Sequence, residues 1–380
     1  MNGRPRLETQ TWYGVYTTDF SLEQVRQRSA DLVVALANRG WPCLVAYDTR
    51  FLSNLIARDL WLTMQQAQVS ASLAAAPLPL PAIRYALKDG LAPCALVVSA
   101  RNRPYWYNGL VLLAPAGCGL RLEEAGSALA AVPFPATLDG TPDGGADLRG
   151  DYLNALRQQV DIELIRRASL TIVVDPMNGS TVGYLPGLIG EGVQTRAIEI
   201  NREADPLFGR VTPLPVESGM NRLRKLVRES DSHIGLACSA DGMALGVADK
   251  NGEPLELLEV ALLLGTYLSR QHRQKGLLVA PLPGPGSPFE NNLAGLTAWE
   301  NDTGIKLELT AEPGPRIAEV MAQERPGLVV GCTAEGEITL PRYSDHPDAL
   351  AAASVLMEMI ARRSGSLRAL IDEVRGYVGS

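Results

Sequence analysis

The chain has 380 residues, 46% hydrophobic and 20% charged, enough to bury the cores of roughly two or three domains. Its 36 Gly and 26 Pro are spread between apolar runs and form no tract, which excludes collagen-like and disordered classes. Lys plus Arg number 35 against 42 Asp plus Glu, a net charge of −7 that offers no field for steering a polyanion, so nucleic acid is not an expected partner.

The first residues, Met1-Asn-Gly-Arg-Pro-Arg-Leu-Glu, lack the apolar core of a signal peptide. The longest apolar helical stretch, Leu255 to Leu268, contains Glu256 and Glu259 and is too short for a bilayer. A cytoplasmic location without a membrane partner is therefore expected. Cys43, Cys94, Cys118, Cys238 and Cys332 are scattered, mostly within apolar runs, and read as buried thiols. His233, His272 and His346 make no ligand spacing with them or with each other, so no zinc site is expected.

Ser21-Leu-Glu-Gln24 is a capping box that predicts a helix over Val25 to Asn38, with Gly40 as its left-handed stop. A buried strand, Cys43 to Tyr47, follows, then a polar turn, Asp48-Thr-Arg50, and a helix from Ser53 to Gln66. Cys94 to Val98 is a second strand. Pro133 to Gly150 reads as a linker and Tyr152 to Arg167 as one helix. Leu170 to Val174, Ile234 to Cys238, Met243 to Ala248, Leu277 to Ala280 and Gly327 to Val330 read as further strands. Such aliphatic runs suit strands covered on both faces.

Between them, Arg222, Arg224, Lys225 and Arg228 form the solvated side of a helix whose apolar face includes Leu223 and Leu226. Lys250-Asn-Gly252 marks a tight turn before a long helix that begins near Leu255. Helices are also expected over Ala349 to Arg362 and Ser366 to Val374. The alternation predicts an α/β protein of three consecutive α/β/α sandwich domains with mixed, mostly parallel sheets, over residues 1–146, 147–253 and 254–380.

In open α/β sheets ligands sit beyond the carboxyl ends of strands. Four loops stand there: Tyr47-Asp-Thr-Arg-Phe-Leu-Ser53, Ser99-Ala-Arg-Asn-Arg-Pro-Tyr-Trp-Tyr-Asn-Gly109, Val173-Val-Asp-Pro-Met-Asn-Gly179 and Asp205-Pro-Leu-Phe-Gly209. With Trp12 to Val25, Ala248-Asp-Lys-Asn-Gly252 and Asp348 to Glu358, they closely resemble segments of the α-D-phosphohexomutases, the phosphoglucomutase and phosphomannomutase family, in family order over essentially the whole chain. The resemblance implies phosphoryl transfer between a loop serine and a hexose phosphate. A divalent metal held by D-G-D-G-D-R, a G-E-x-S-G-H sugar loop and a fourth domain that grips the substrate phosphate complete that machinery.

This sequence departs from each part. Aligning Tyr107-Asn-Gly109 with the family's Y-N-G puts Arg101 at the phosphoserine position and Asn102 at the neighbouring histidine; a gap at Arg103 would put Ala100 there instead. Neither side chain can accept a phosphoryl group. In Cys238-Ser-Ala-Asp-Gly-Met-Ala-Leu-Gly246, the positions of the three metal-binding aspartates hold Ser239, Asp241 and Met243, a poor set for magnesium. Gly331-Cys-Thr-Ala-Glu-Gly-Glu337 leaves Glu335 and Glu337 out of register with the sugar loop, and Pro313-Gly-Pro-Arg316 keeps one cation of V-G-F-K. After Ser366 to Val374 no segment matches the fourth domain, which is expected to be absent.

The expected protein is thus a catalytically inactive phosphohexomutase homologue, a pseudoenzyme with no cofactor, in a structural, regulatory or ligand-binding role. Arg50, Arg101, Asn102, Arg103, Asp241, Arg316 and Glu335 are the candidates for holding an anion or sugar phosphate. Asp48 and Arg50 also read as fixing the loop between strand and helix, and Tyr105, Trp106 and Tyr107 as a space-filling aromatic cluster. A homo-oligomer or another protein is the expected macromolecular partner, unless Leu367, Leu370, Ile371 and Val374 pack onto their own domain. The alternative is an active, magnesium-dependent mutase that uses a relocated nucleophile such as Ser99 or Ser232.

Overall fold

The computed structural model describes residues 6–123, 132–138, 147–290, 292–323, 327–363 and 366–377. Residues 139–146 of the expected linker lie outside this description. Three mixed sheets with helices between their strands make the α/β architecture.

The first sheet contains β1 (Leu7–Val15), β2 (Cys43–Tyr47), β3 (Ala71–Leu73), β4 (Cys94–Val98) and β5 (Tyr107–Pro115), in the order β1-β5-β4-β2-β3. β2 is parallel to β3 and β4, while β5 is antiparallel to both β4 and β1. Helices α1 (Leu22–Arg39), α2 (Ser53–Gln66) and α3 (Leu80–Asp89) connect these strands. Ser21 Oγ accepts the Gln24 N–H at 3.2 Å, and Gly40 stops α1 at φ 60, as the capping box and glycine require. Val25, Leu32 and Leu36 of α1 and Leu60 and Met64 of α2 pack with Val45, Leu96, Leu110 and Leu112 into one core.

The second sheet has the order β7-β6-β8-β9, with β6 (Thr171–Asp175), β7 (Arg196–Glu199), β8 (Ile234–Cys238) and β9 (Leu245–Ala248). Helices α4 (Leu148–Gln159), α5 (Ile162–Arg167), α6 (Tyr184–Ile189) and α7 (Asn221–Glu229) accompany it. The single helix expected over Tyr152 to Arg167 is two, because Asp161 leaves the helix to cap α5, its Oδ1 accepting the Leu164 N–H at 3.0 Å. On α7, Leu223 and Val227 are buried and Leu226 half-buried, and Arg222, Lys225 and Arg228 are exposed; Arg224, expected on the solvated side, is half-buried because its Nε donates to the Gly252 carbonyl at 2.8 Å.

The third sheet, in the order β11-β10-β12-β13, contains β10 (Gly276–Pro281), β11 (Ile305–Thr310), β12 (Leu328–Cys332) and β13 (Ile338–Thr339). Its helices are α8 (Leu257–His272), α9 (Leu293–Thr303), α10 (Pro313–Ala322), α11 (Ala349–Arg362) and α12 (Leu367–Gly376).

By packing, the chain forms two compact units. The first comprises Met1–Tyr152, Asn178–Thr181 and Glu203–Pro213; the second comprises Leu153–Met177, Val182–Arg202 and Leu214–Ser380. The boundary expected near residue 253 falls inside the second unit, where α11 packs against α5, α6, β8 and β9 as well as α8 and β13.

Within that unit, Leu367, Ile371 and Val374 of α12 are buried, Leu370 is half-buried, and the helix packs on α8. Arg375 donates to both oxygens of the buried Glu259, at 2.7 and 3.2 Å. Beside it, Asp302 accepts from Tyr377 Oη at 2.5 Å and Arg270 Nη2 at 2.9 Å, which together hold its carboxyl below the usual 3.8. The depressed value makes this contribution to stability present above the usual carboxylate range and lost as pH falls through the folded value. Tyr377→Phe is expected to raise the Asp302 titration midpoint toward 3.8 in an NMR pH series; an unmoved midpoint would refute the assignment.

Cys43, Cys94, Cys238 and Cys332 are buried as expected, but Cys118, in the turn after β5, is only half-buried. Among the described residues, no helix is long and apolar enough to cross a membrane.

Candidate functional site

β2 ends at Tyr47, and the chain turns through Asp48, Thr49 and Arg50 into α2. Asp48 Oδ1 accepts the Arg50 N–H and the Ser53 hydroxyl, each at 3.0 Å, and Asp48 Oδ2 accepts Arg50 Nε at 3.1 Å. The remaining Arg50 donors all meet backbone carbonyls: Nη1 reaches Pro104 and Tyr107, both at 2.9 Å, and Nη2 reaches Arg101 at 2.7 Å and Arg103 at 2.6 Å. That uses every N–H of the guanidinium.

The Arg50 side chain has 0% exposure, and its guanidinium stacks over the Phe208 ring at 4.9 Å. Arg50 is therefore a clamp on the loop after β4. These bonds fit the loop-fixing reading, and a ligand held by Arg50 would have to displace them. Burial raises the Asp48 carboxyl above its ordinary value, against the lowering effect of Arg50.

The clamped loop carries Arg101, Asn102 and Arg103. Arg101 sits at φ 55 and donates its N–H to Ser99 Oγ at 2.9 Å. Arg101 and Asn102 are half-buried; Arg103 is exposed, its guanidinium 4.8 Å from the Tyr13 ring centre and 5.7 Å from that of Tyr107. Ser99 is 2% exposed and hydrogen-bonds the Asp48 side chain, so its hydroxyl faces the interior of the network. Asn108 is buried and donates to Tyr16 Oη at 2.8 Å and Ser53 Oγ at 3.0 Å. Burial first, with the nearby Asp48 charge adding to it, pushes the Tyr16 hydroxyl up to about 12. Tyr105 meets Trp106 edge-on at 5.0 Å, and Trp106 is exposed.

In the second unit, Ser239, Asp241 and Met243 do come together, as one closed turn. Ser239 Oγ donates to Asp241 Oδ1 at 2.6 Å and accepts the N–H groups of Ala244 at 2.9 Å and Met243 at 3.2 Å. Asp241 Oδ1 accepts the Met243 N–H as well, at 3.2 Å. The strand expected from Met243 therefore starts later, at Leu245, since the two preceding amides belong to the turn. All three side chains are buried.

These residues do not fit a divalent cation. They offer one carboxylate, with one oxygen already shared by two donors, and a thioether that hard cations avoid. Among the described residues, no group of three His, Cys, Asp or Glu side chains is placed to hold a metal.

Glu335 is exposed on the turn between β12 and β13, which Thr333 closes by accepting the Gly336 N–H at 3.0 Å and, through Oγ1, the Glu337 N–H at 3.2 Å. That turn borders the Ser239 segment, because Leu245 donates its N–H to the Gly336 carbonyl at 2.9 Å. Arg316 is engaged elsewhere. On α10 it makes a forked pair with Glu308, at 2.7 and 3.0 Å, and meets Glu319 at 2.8 Å. Two carboxylates neutralise this cation, which weakens it as an anion ligand.

Sequence reasoning missed Tyr16, Ser53, Asn108 and Phe208, the residues that complete the clamp. The Asp48-x-Arg50-x-x-Ser53 spacing is a usable signal, since a carboxylate two and five residues before its donors at a helix start reads as an Asx-type turn. Phe208 carries no such signal, because its partner lies far off in sequence.

The family models for phosphoglucomutase/phosphomannomutase α/β/α domains I and II match residues 7–130 and 150–252. A phosphoglucosamine mutase of Sphingopyxis alaskensis is 29% identical over 299 residues, which cover 75% of this chain and 63% of that protein. A phosphoglucomutase/phosphomannomutase of Thermococcus kodakarensis is 26% identical over 305 residues, covering 79% and 64%. The chain thus spans somewhat under two thirds of these curated relatives. A solved structure described as a phosphomannomutase from Thermus thermophilus superimposes with a TM-score of 0.80 at 23% identity, covering 100% of this chain and 85% of that one.

Proposed function

Because the chain belongs to the phosphoglucomutase/phosphomannomutase family of α-D-phosphohexomutases, we propose that it keeps the family scaffold as a non-catalytic protein that binds an anion of the sugar-phosphate class. The closed turn over Ser239, Asp241 and Met243 carries this reading. Phosphoryl transfer needs a nucleophile and a cation that spreads charge over the transferring group. On this reading the closed turn stands where the family holds its cation, and Arg101, or Ala100 with a gap at Arg103, where it carries the phosphoserine.

Binding falls to the loop that Arg50 holds. A loop fixed by four carbonyl bonds loses little freedom on meeting a ligand, and it presents Arg103 at the surface beside Asn102 and Arg101. Guanidinium forks suit phosphate oxygens. A cytoplasmic setting fits this ligand class.

The relatives' names favour a second reading, a working mutase with a relocated hydroxyl. Ser99 is committed to the Asp48 network, and Ser232 is buried with its Oγ 2.7 Å from Ser230 Oγ, so both would have to leave their bonds. Coupled assays with glucose, mannose and glucosamine 1-phosphates plus magnesium separate the two readings. The expected result is no turnover and no phosphoryl adduct by intact mass, with calorimetric binding of at least one sugar phosphate at a Kd below about 1 mM, weakened about tenfold in Arg103→Ala. Turnover at ordinary enzymatic rates sinks the non-catalytic reading, and absence of heat with every sugar phosphate sinks the binding role.

A further inference from the structure

The first unit carries an apolar groove that the anion-binding reading does not use. It encloses about 360 Å³ and is lined by Tyr16, Phe20, Leu22, Leu52, Leu55 and Leu138 among others. Leu22, Leu52 and Leu55 are 42%, 40% and 42% exposed, and Phe51, whose ring meets Tyr16 at 6.2 Å, is 57% exposed. Leu52 is held at φ 59, a left-handed conformation costly for a branched side chain. These residues gather where the starts of α1 and α2 come together.

We infer that this groove docks a short amphipathic helix of another protein, with two or three apolar anchors and basic residues beside them. The size of the exposed patch, set against what each kind of occupant needs, selects it. The exposed parts of Leu22, Leu52 and Leu55, with Phe51 next to them in the chain, amount to roughly 350 Å² of apolar surface, the size of a patch that is often functional. Roughly 800 Å² per partner is the standard for a stable protein pair, so the patch is too small to hold a second copy by itself. A helix laid in a groove makes its contacts through anchors at i, i+3 or i+4 and i+7, and needs no more than this.

The volume agrees. A cavity of about 150 Å³ holds one benzene-sized group, so the groove has room for two or three side chains. The floor makes no demand for a polar ligand, because its charges are already paired: Arg26 donates to both oxygens of Asp59, at 2.5 and 3.2 Å, and to the Pro135 carbonyl at 3.1 Å. Asp19 and Glu23, which flank the groove-lining Phe20 to Leu22 in sequence, are exposed. They give that rim a negative charge, complementary to a basic flank on the incoming helix.

The test is selection from a phage-displayed library of helical peptides of about 14 residues on the intact chain, followed by fluorescence anisotropy with the most enriched synthetic peptide. Enriched sequences are expected to carry Leu, Met or Phe at i and i+3 or i+4 with Lys or Arg alongside. Leu55→Glu and Leu22→Glu, both at exposed positions, are each expected to weaken the peptide at least tenfold without changing the circular dichroism. Leu293→Glu, exposed in the second unit, leaves binding unchanged. No enrichment, or enrichment insensitive to both groove variants, overturns the inference. So does a dimer in sedimentation equilibrium that Leu55→Glu dissociates, since the surface would then belong to a second copy. Each readout is independent of sugar-phosphate binding.

Discussion

Arg50→Ala is expected to destabilise the first unit by at least about 4 kcal/mol, because it strands a buried carboxylate and removes the donors from four loop carbonyls at once. Asp48 would keep only neutral partners, and the carbonyls of Arg101, Arg103, Pro104 and Tyr107 would need water in a space where Arg50 now excludes it. Arg50→Lys should recover little, since an ammonium has three donors and no planar fork to match five acceptor directions. Urea unfolding followed by tryptophan fluorescence gives the loss, and hydrogen exchange locates it in residues 99–109. A loss below about 1 kcal/mol, or unchanged protection of that segment, would show that the loop stands without the clamp.

Ser239→Ala is the second large effect, about 3 kcal/mol in the second unit. One hydroxyl there satisfies the amides of Met243 and Ala244 and donates to Asp241. Its removal leaves two buried N–H groups without that acceptor and takes from the Asp241 carboxylate a donor at 2.6 Å. Ser239→Thr, which retains the hydroxyl, should cost less. If alanine and threonine behave alike in equilibrium unfolding, the turn is held by packing, and the account of why it excludes a metal fails.

Much of the framework was legible in the residues. The aliphatic runs at Cys43 to Tyr47, Cys94 to Val98 and Ile234 to Cys238 are strands, and the box at Ser21 and the helix from Ser53 to Gln66 lie where spacing puts them. These signals are local: a cap, a period or a run is decided within a few residues. Two misreadings arose where a side chain competed with regular structure for backbone amides. Asp161 broke one helix into two, and Ser239 withheld two residues from β9.

The candidate site was half legible. Motif order located its loops and named the departures at Arg101, Ser239 and Met243, because residue identity alone rules on whether a side chain can accept a phosphoryl group or bind magnesium. Whether a named cation is free to meet a ligand is a question of partners, and residue type is silent on it. Arg50 and Arg316 looked equivalent to Arg103, yet one is spent on backbone carbonyls and the other on Glu308 and Glu319.

The amino-acid sequence by itself thus determined the α/β class and the family, since periodicity and chemical identity survive without coordinates. Only the tertiary structure decided which charges are already neutralised, that the turn over Asp241 and Met243 is closed by Ser239, and that leucines from two helix starts share one open groove. Those outcomes depend on which groups distant in the chain are brought within a few ångströms, where hydrogen bonds and burial are settled.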